Sequence, residues 1–177
     1  MDNAVIALDY PLAYQLVEEI AEMDWDRAWE SRLLQWFKKL PDENIDANPK
    51  LCIFYARELY KSGYIDDAEK RLHAAEQMFE STSISNLNKE GLRGRIAVIR
   101  AFISTRTGDP SRTISFSSQA LKLLPQRDLN WRSVAATMLG FGYGSDKLVE
   151  SQQAYFEAMK ISKAAGNVYY HIFAGSC

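Results

Sequence analysis

The chain has 177 residues, 47% of them hydrophobic, which is enough for one domain spanning residues 1–177 to bury a core. No run approaches the eighteen apolar residues of a membrane-crossing helix, and Met1-Asp2-Asn3-Ala4 lacks the basic start of a secretory signal. Net charge is −2 but unevenly spread: residues 1–80 carry 17 acidic and 9 basic side chains, −8, and residues 81–177 carry 6 and 12, +6. Such polarity fits either a partner surface or end-to-end complementarity between neighbouring modules. Cys52 and Cys177 form no CxxC pair and no Asn-x-Ser/Thr sequon is present, which points to a reduced, cytoplasmic setting.

Along the chain a turn signal recurs. Met23-Asp24 marks the first turn, followed by Leu33, Trp36, Phe37 and Leu40, where Pro41 stops the run. Asn48-Pro49 is a helix start, with Asn as cap and Pro in the first turn, where its missing donor costs nothing. Leu51, Tyr55 and Leu59 then repeat at helical spacing until Gly63, and the return helix carries Ile65, Ala68, Leu72, Ala75 and Phe79. Residues 80–88 read as a polar loop. Ile96, Ile99, Ala101, Phe102 and Ile103 build the next helix, turned by Gly108-Asp109-Pro110; Ile114, Ala120, Leu121 and Leu124 build its partner, stopped by Pro125. A fourth pair runs Val134 to Tyr143 and Leu148 to Ala165, with Gly166 as the C-terminal cap. Val168, Tyr169, Ile172 and Phe173 form the first helix of a fifth pair whose second helix is missing, as expected for a piece of a longer protein.

Taking Asp24, Gly63, Gly108 and Asp146 as markers, the spacings are 39, 45 and 38 residues. Five residues after each turn stand Trp29, Ala68, Thr113 and Ser151; twelve after stand Trp36, Ala75, Ala120 and Ala158. Ser117 occupies a position where an apolar residue is expected. A helix–turn–helix unit of this length predicts an all-α, right-handed superhelical solenoid of about four hairpins plus one helix.

The aligned small residues resemble the tetratricopeptide repeat, in longer units than usual. Three stretches stand out: Leu33 to Pro41 followed by Asn48 to Leu51, Ala68 to Glu76, and Tyr155 to Ala158 continuing through Ala164 to Asn167. In this order they are similar to the MalT-type helical domain of large ATP-dependent LuxR-family transcription regulators. The resemblance implies a non-catalytic sensor that binds a small-molecule inducer or a regulatory protein. It implies no cofactor in this segment, with ATP held in an upstream module, and a separate helix-turn-helix that contacts DNA. A free-standing adaptor binding a peptide or protein is the alternative.

The other motifs carry less. Gly140-Phe141-Gly142-Tyr143-Gly144 lacks GxGxxG spacing, and Gly91-Leu92-Arg93-Gly94-Arg95 lacks the ending of a P-loop; close helix packing explains these glycines better. His73 and His171 fall in separate hairpins without a nucleophile beside them, and Asp66-Asp67 reads as helix-start electrostatics. The arginines Arg93, Arg95, Arg100 and Arg106 spread around a helix without a groove-entry motif, so direct nucleic-acid contact is not expected, nor is a metal site or membrane contact. The repeat register assigns the concave binding face to Lys50, Ile53, Arg57 and Tyr60, then Arg95, Phe102 and Thr105, then Thr137 and Phe141, with Val98 and Val134 beside them. On that reading Arg57→Ala with Arg95→Ala weakens binding while leaving folding nearly untouched. The unpaired fifth hairpin predicts self-association through its apolar face.

Overall fold

The computed structural model describes residues 10–23, 32–81 and 86–177, and among these every regular element is an α-helix. The chain divides into two compact units, Met1–Ile84 and Ser85–Cys177. No ionisable residue lies between 81 and 84, so the units carry the charges read from the sequence, −8 and +6. Asp24, Trp29 and residues 82–85 of the expected loop lie outside the described residues. The flanks of that loop are helical, because the helix before it runs to Ser81 and the one after it starts at Asn86.

In the first unit, helix α1 (Tyr10–Met23) buries Ala13, Val17 and Ala21, one stripe at fourfold spacing. Two single-turn helices follow, α2 (Leu33–Phe37) and α3 (Asp42–Asp46). The sequence reading has nothing between Pro41 and Asn48. Pro41 nonetheless precedes α3, Asp42 and Glu43 stand in its first turn, and Ile45 is its buried anchor. Helix α4 (Pro49–Lys61) starts at Asn48, whose Oδ1 accepts from the Lys50 and Leu51 amides at 3.0 and 3.4 Å. Every residue from Leu51 to Leu59 is buried, since α4 is packed by α1, α2, α3 and the next helix. Gly63, at φ 87°, ends it, and the Tyr64 amide donates back to the Leu59 carbonyl at 2.9 Å. Helix α5 (Ile65–Ser81) returns along α4 and buries Ala68, Leu72, Ala75 and Phe79.

The second unit holds α6 (Asn86–Arg106), α7 (Pro110–Leu123), α8 (Leu129–Tyr143), α9 (Leu148–Ala165) and α10 (Val168–Ser176). Asp109 caps α7 by accepting from the Arg112 amide at 2.9 Å, and Asn167 caps α10 through the Tyr170 amide at 3.2 Å. Gly166, at φ 70°, closes α9 as the sequence predicts. At the α8–α9 turn the left-handed residue is Gly144, two positions before the Asp146 marker, because Gly144 tolerates φ 53° without a Cβ clash. Helix α8 begins five residues earlier than its apolar run suggests, burying Trp131 in the added turn. The α7 buried stripe is Thr113, Ser117 and Ala120, and the α9 stripe is Ser151, Ala154, Ala158 and Ser162. Close approach is enforced by Gly140: a Cβ there would sit 2.9 Å from the Tyr155 ring.

Ser117 is fully buried and its hydroxyl has no hydrogen-bond partner. An unsatisfied buried hydroxyl costs about 1–3 kcal/mol. Ser117→Ala should therefore raise stability by about 1 kcal/mol, moving the urea midpoint upward with an unchanged slope. A downward shift would show that the hydroxyl is satisfied in solution.

Candidate functional site

One open cavity of about 460 Å³ lies within the first unit, walled by α3, α4, α5 and the residues that follow α2. Its floor is a stack. The Phe37 and Tyr55 rings lie parallel, 4.8 Å apart and 7° from coplanar, and the Arg71 guanidinium lies over the Tyr55 ring, 4.8 Å from its centre. The single-turn helix α3 places Asp42 and Asp46 four residues apart on one face, so both reach the same guanidinium. Arg71 Nη2 donates to Asp42 Oδ1 at 2.5 Å and Nη1 to Asp46 Oδ1 at 2.6 Å. Burial acts to lower the Arg71 pKa, but the hydrogen bonds it donates to Asp46 and Asp42, with the charge of those carboxylates, outweigh it and hold the group above its ordinary value.

Around the mouth, Lys38 Nζ sits 5.1 Å from the centre of the Tyr64 ring, and Lys70 pairs with Asp67 at 2.9 Å. The Lys70 bond lowers the Asp67 pKa, and the same bond raises that of Lys70. Beneath α3, the Cys52 thiol donates to the Ile45 carbonyl at 3.2 Å. Burial, reinforced by the Asp46 charge, pushes this thiol up to about 12, so it stays protonated and is a poor nucleophile. Burial also raises the Tyr55 hydroxyl, with Arg71 opposing the shift. The lining holds three cations, three carboxylates and two tyrosines, and no histidine. The lining thus presents both signs of charge beside aromatic rings, with Arg71 paired to Asp42 and Asp46 and Lys70 to Asp67.

The residues assigned from sequence to a concave face are distributed otherwise. In the first unit Lys50 pairs with Glu18 of α1 at 2.6 Å, and Arg57 Nη1 donates to the Ala21 carbonyl of α1 at 3.0 Å. Ile53 between them is buried, so this stripe of α4 is the seam against α1. Tyr60 is half-buried. Arg57 is 5% exposed and bonds Glu58, 2% exposed, at 2.9 Å, and it also covers the Phe54 ring. The expectation that Arg57→Ala is neutral for folding is therefore incorrect: the charge belongs to a buried pair. In the second unit Arg95 bonds Asp128 at 3.1 Å and covers Trp131. Phe102 and Thr105 are half-buried on the same helix, and Thr105 donates to the Phe102 carbonyl. Val98, Val134 and Thr137 are buried, Thr137 donating to the Ser133 carbonyl, whereas Phe141 is exposed.

Arg71, Asp42 and Asp46 escaped the sequence reading, although the Asp-x-x-x-Asp spacing straight after Pro41 marks a short acidic helix face. Asp66 and Asp67 do stand in the first turn of α5. His73 lies 3.0 Å from Gln77 on the exposed side of α5, and His171 lies 3.1 Å from the Met159 carbonyl. Among the described residues no cluster of His, Cys, Asp and Glu is arranged to hold a metal ion, and no helix is long and apolar enough to cross a membrane. Comparison with family models, curated proteins and solved structures finds no match for this chain.

Proposed function

We propose that this chain is a non-catalytic binding module built from tetratricopeptide-like hairpins, acting as the sensor segment of a MalT-like LuxR-family transcription regulator. The observation that carries the reading is the packing order of the second unit. Helix α8 packs on both helices of the preceding hairpin, α6 and α7, and α10 packs on both α8 and α9. Repeated docking of this kind is how helical repeats build a continuous binding surface. The buried small residues recur with it: Ala68, Thr113 and Ser151, then Ala75, Ala120 and Ala158.

In the first unit the cavity over Arg71 is the place where an inducer, or a charged segment of a regulatory protein, is recognised. Its carboxylates suit an ammonium group and its lysines a carboxylate. A thermal-shift screen of amino acids and zwitterionic dipeptides tests this. A ligand at a hundred times its Kd adds about 2.7 kcal/mol of stability. Lys38→Ala with Asp67→Asn, both at the exposed mouth, should leave the unliganded melt within about 0.5 kcal/mol. The pair should weaken ligand binding roughly tenfold, about 1.4 kcal/mol. Binding unaffected by these changes would move the site off the cavity. The regulator reading has its own test in the full open reading frame, where a P-loop upstream and a helix-turn-helix downstream are expected. Lacking both, the chain is a free-standing adaptor.

A further inference from the structure

Every charged side chain of the second unit lies within residues 86–177, so the placement of its charge follows from the helix order. A Cβ on Gly91 would sit 3.3 Å from Pro125, which puts the start of α6 beside the end of α7. Arg132 of α8 donates to the Leu121 and Leu124 carbonyls at 2.8 and 2.9 Å. Asn167, ahead of α10, donates to Asn130 of α8 at 3.2 Å. The starts of α6, α8 and α10 and the ends of α7 and α9 therefore share one end of the unit. The turns at Gly108 and Gly144 share the other, where a Cβ on Gly142 would meet Ile114 at 2.9 Å.

Charge is segregated between these ends. At the turns Arg106, Arg112 and Lys147 are matched by Asp109, Asp146 and Glu150, net zero. Along α9 Lys160 pairs with Glu157 at 3.8 Å. At the opposite end stand Lys89, Arg93, Lys122, Arg127, Arg132 and Lys163, six cations against the single further acid Glu90, net +5, because Asp128 is held by Arg95. Lys122, Arg127 and Lys163 are exposed, and no carboxylate among the described residues pairs with them. Arg132 is bonded to carbonyls, which leave its charge in place.

We infer that this end of the second unit binds a flexible acidic segment of another protein. Clustered Arg and Lys side chains recognise carboxylates through charge-assisted hydrogen bonds. The end is blunt, built from helix termini and the links at 124–128 and 166–167, so no helix side stands out to enter a groove of duplex nucleic acid. An unfolded run of Asp and Glu adapts to such a face, with opposite charge speeding the encounter. The surface belongs to a different unit from the Arg71 cavity and stands whether or not that cavity takes a ligand.

Fluorescence anisotropy of a labelled deca-glutamate peptide, titrated with the full chain, tests the inference. Binding should be measurable at about 50 mM salt and weaken roughly tenfold or more by about 200 mM, as the charges are screened. Lys122→Glu with Arg127→Glu should weaken it roughly tenfold or more at the lower salt. Arg112→Glu with Lys147→Glu makes the same change in net charge at the turn end, about 20 Å away along α7, and should weaken it less than about threefold. Equal losses from the two pairs would overturn the inference, because net charge and not place would then govern binding. Absence of peptide binding at about 50 mM salt would overturn it as well. So would a duplex oligonucleotide of the same charge binding roughly tenfold tighter than the peptide. Should the paired change disturb α7, Arg127→Glu against Lys147→Glu carries the same comparison, since Arg127 is exposed in the link between α7 and α8.

Discussion

Arg57→Ala should destabilise the first unit by about 3–5 kcal/mol, the cost of stripping one partner from a buried ion pair. The reason is what remains behind. Among the described residues, Glu58 would keep the Lys61 ammonium, 3.2 Å away and partly in water, as its charged partner. The Ala21 carbonyl would lose its donor from Arg57 Nη1, and the Phe54 ring its cationic cover. Against a typical total stability of about 5–15 kcal/mol this is a large fraction, and urea unfolding followed by circular dichroism measures it. Arg57→Met, which keeps the aliphatic packing, should lose nearly as much, because the stranded carboxylate dominates. A loss below about 1 kcal/mol would mean that the pair is hydrated in solution.

Alkaline pH should weaken the first unit progressively from about pH 9 upward. The Cys52 thiol ionises at 9.0 in an ordinary setting and is pushed up to about 12 in the folded chain. Below 9.0 both states hold the proton and the thiol leaves stability unchanged with pH. From there to about 12 the unfolded chain releases the proton while the native one retains it, so stability falls by up to about 1.4 kcal/mol per pH unit. Over the whole interval that is on the order of 4 kcal/mol. The Tyr55 hydroxyl, also raised by burial, adds to the loss in the same direction at the upper end. Cys52→Ala should lose about 1 kcal/mol at neutral pH from the small void and should flatten most of the alkaline decline. Identical slopes in wild type and variant would assign the decline to another group.

Where the sequence speaks through backbone chemistry, it was legible. Gly63, Gly108 and Gly166 all carry positive φ, and Asn48 and Asp109 accept the amides that a helix start leaves unpaired. The small positions at Ala68, Ala75, Ala120 and Ala158 are buried because helical periodicity alone puts them on one face. Periodicity does not say what covers a face, which is why the α4 stripe through Arg57 read as a groove when α1 lies on it. The start of α8 was hidden for a related reason: Asp128 precedes the helix without capping it, its carboxylate being held by Arg95. Helix α3 is one turn long and stands through tertiary contacts, so no local signal of adequate strength exists. The cavity was missed with it, since Arg71 meets its carboxylates across 25 and 29 residues.

The central position of α8 also orders motion in the second unit. It packs against α6, α7, α9 and α10 alike, and its Trp131, Val134 and Ala135 are almost wholly shielded from solvent. Helix α10 can fray from α8 and α9 while the rest of the unit persists, whereas α8 cannot open without parting all four neighbours. Its amide protons should therefore exchange with solvent deuterium only as often as the whole unit opens, and those of α10 far sooner. The mid-helix amides from Val134 to Met138, buried and bonded within α8, thus serve as a clock for the opening of the complete unit.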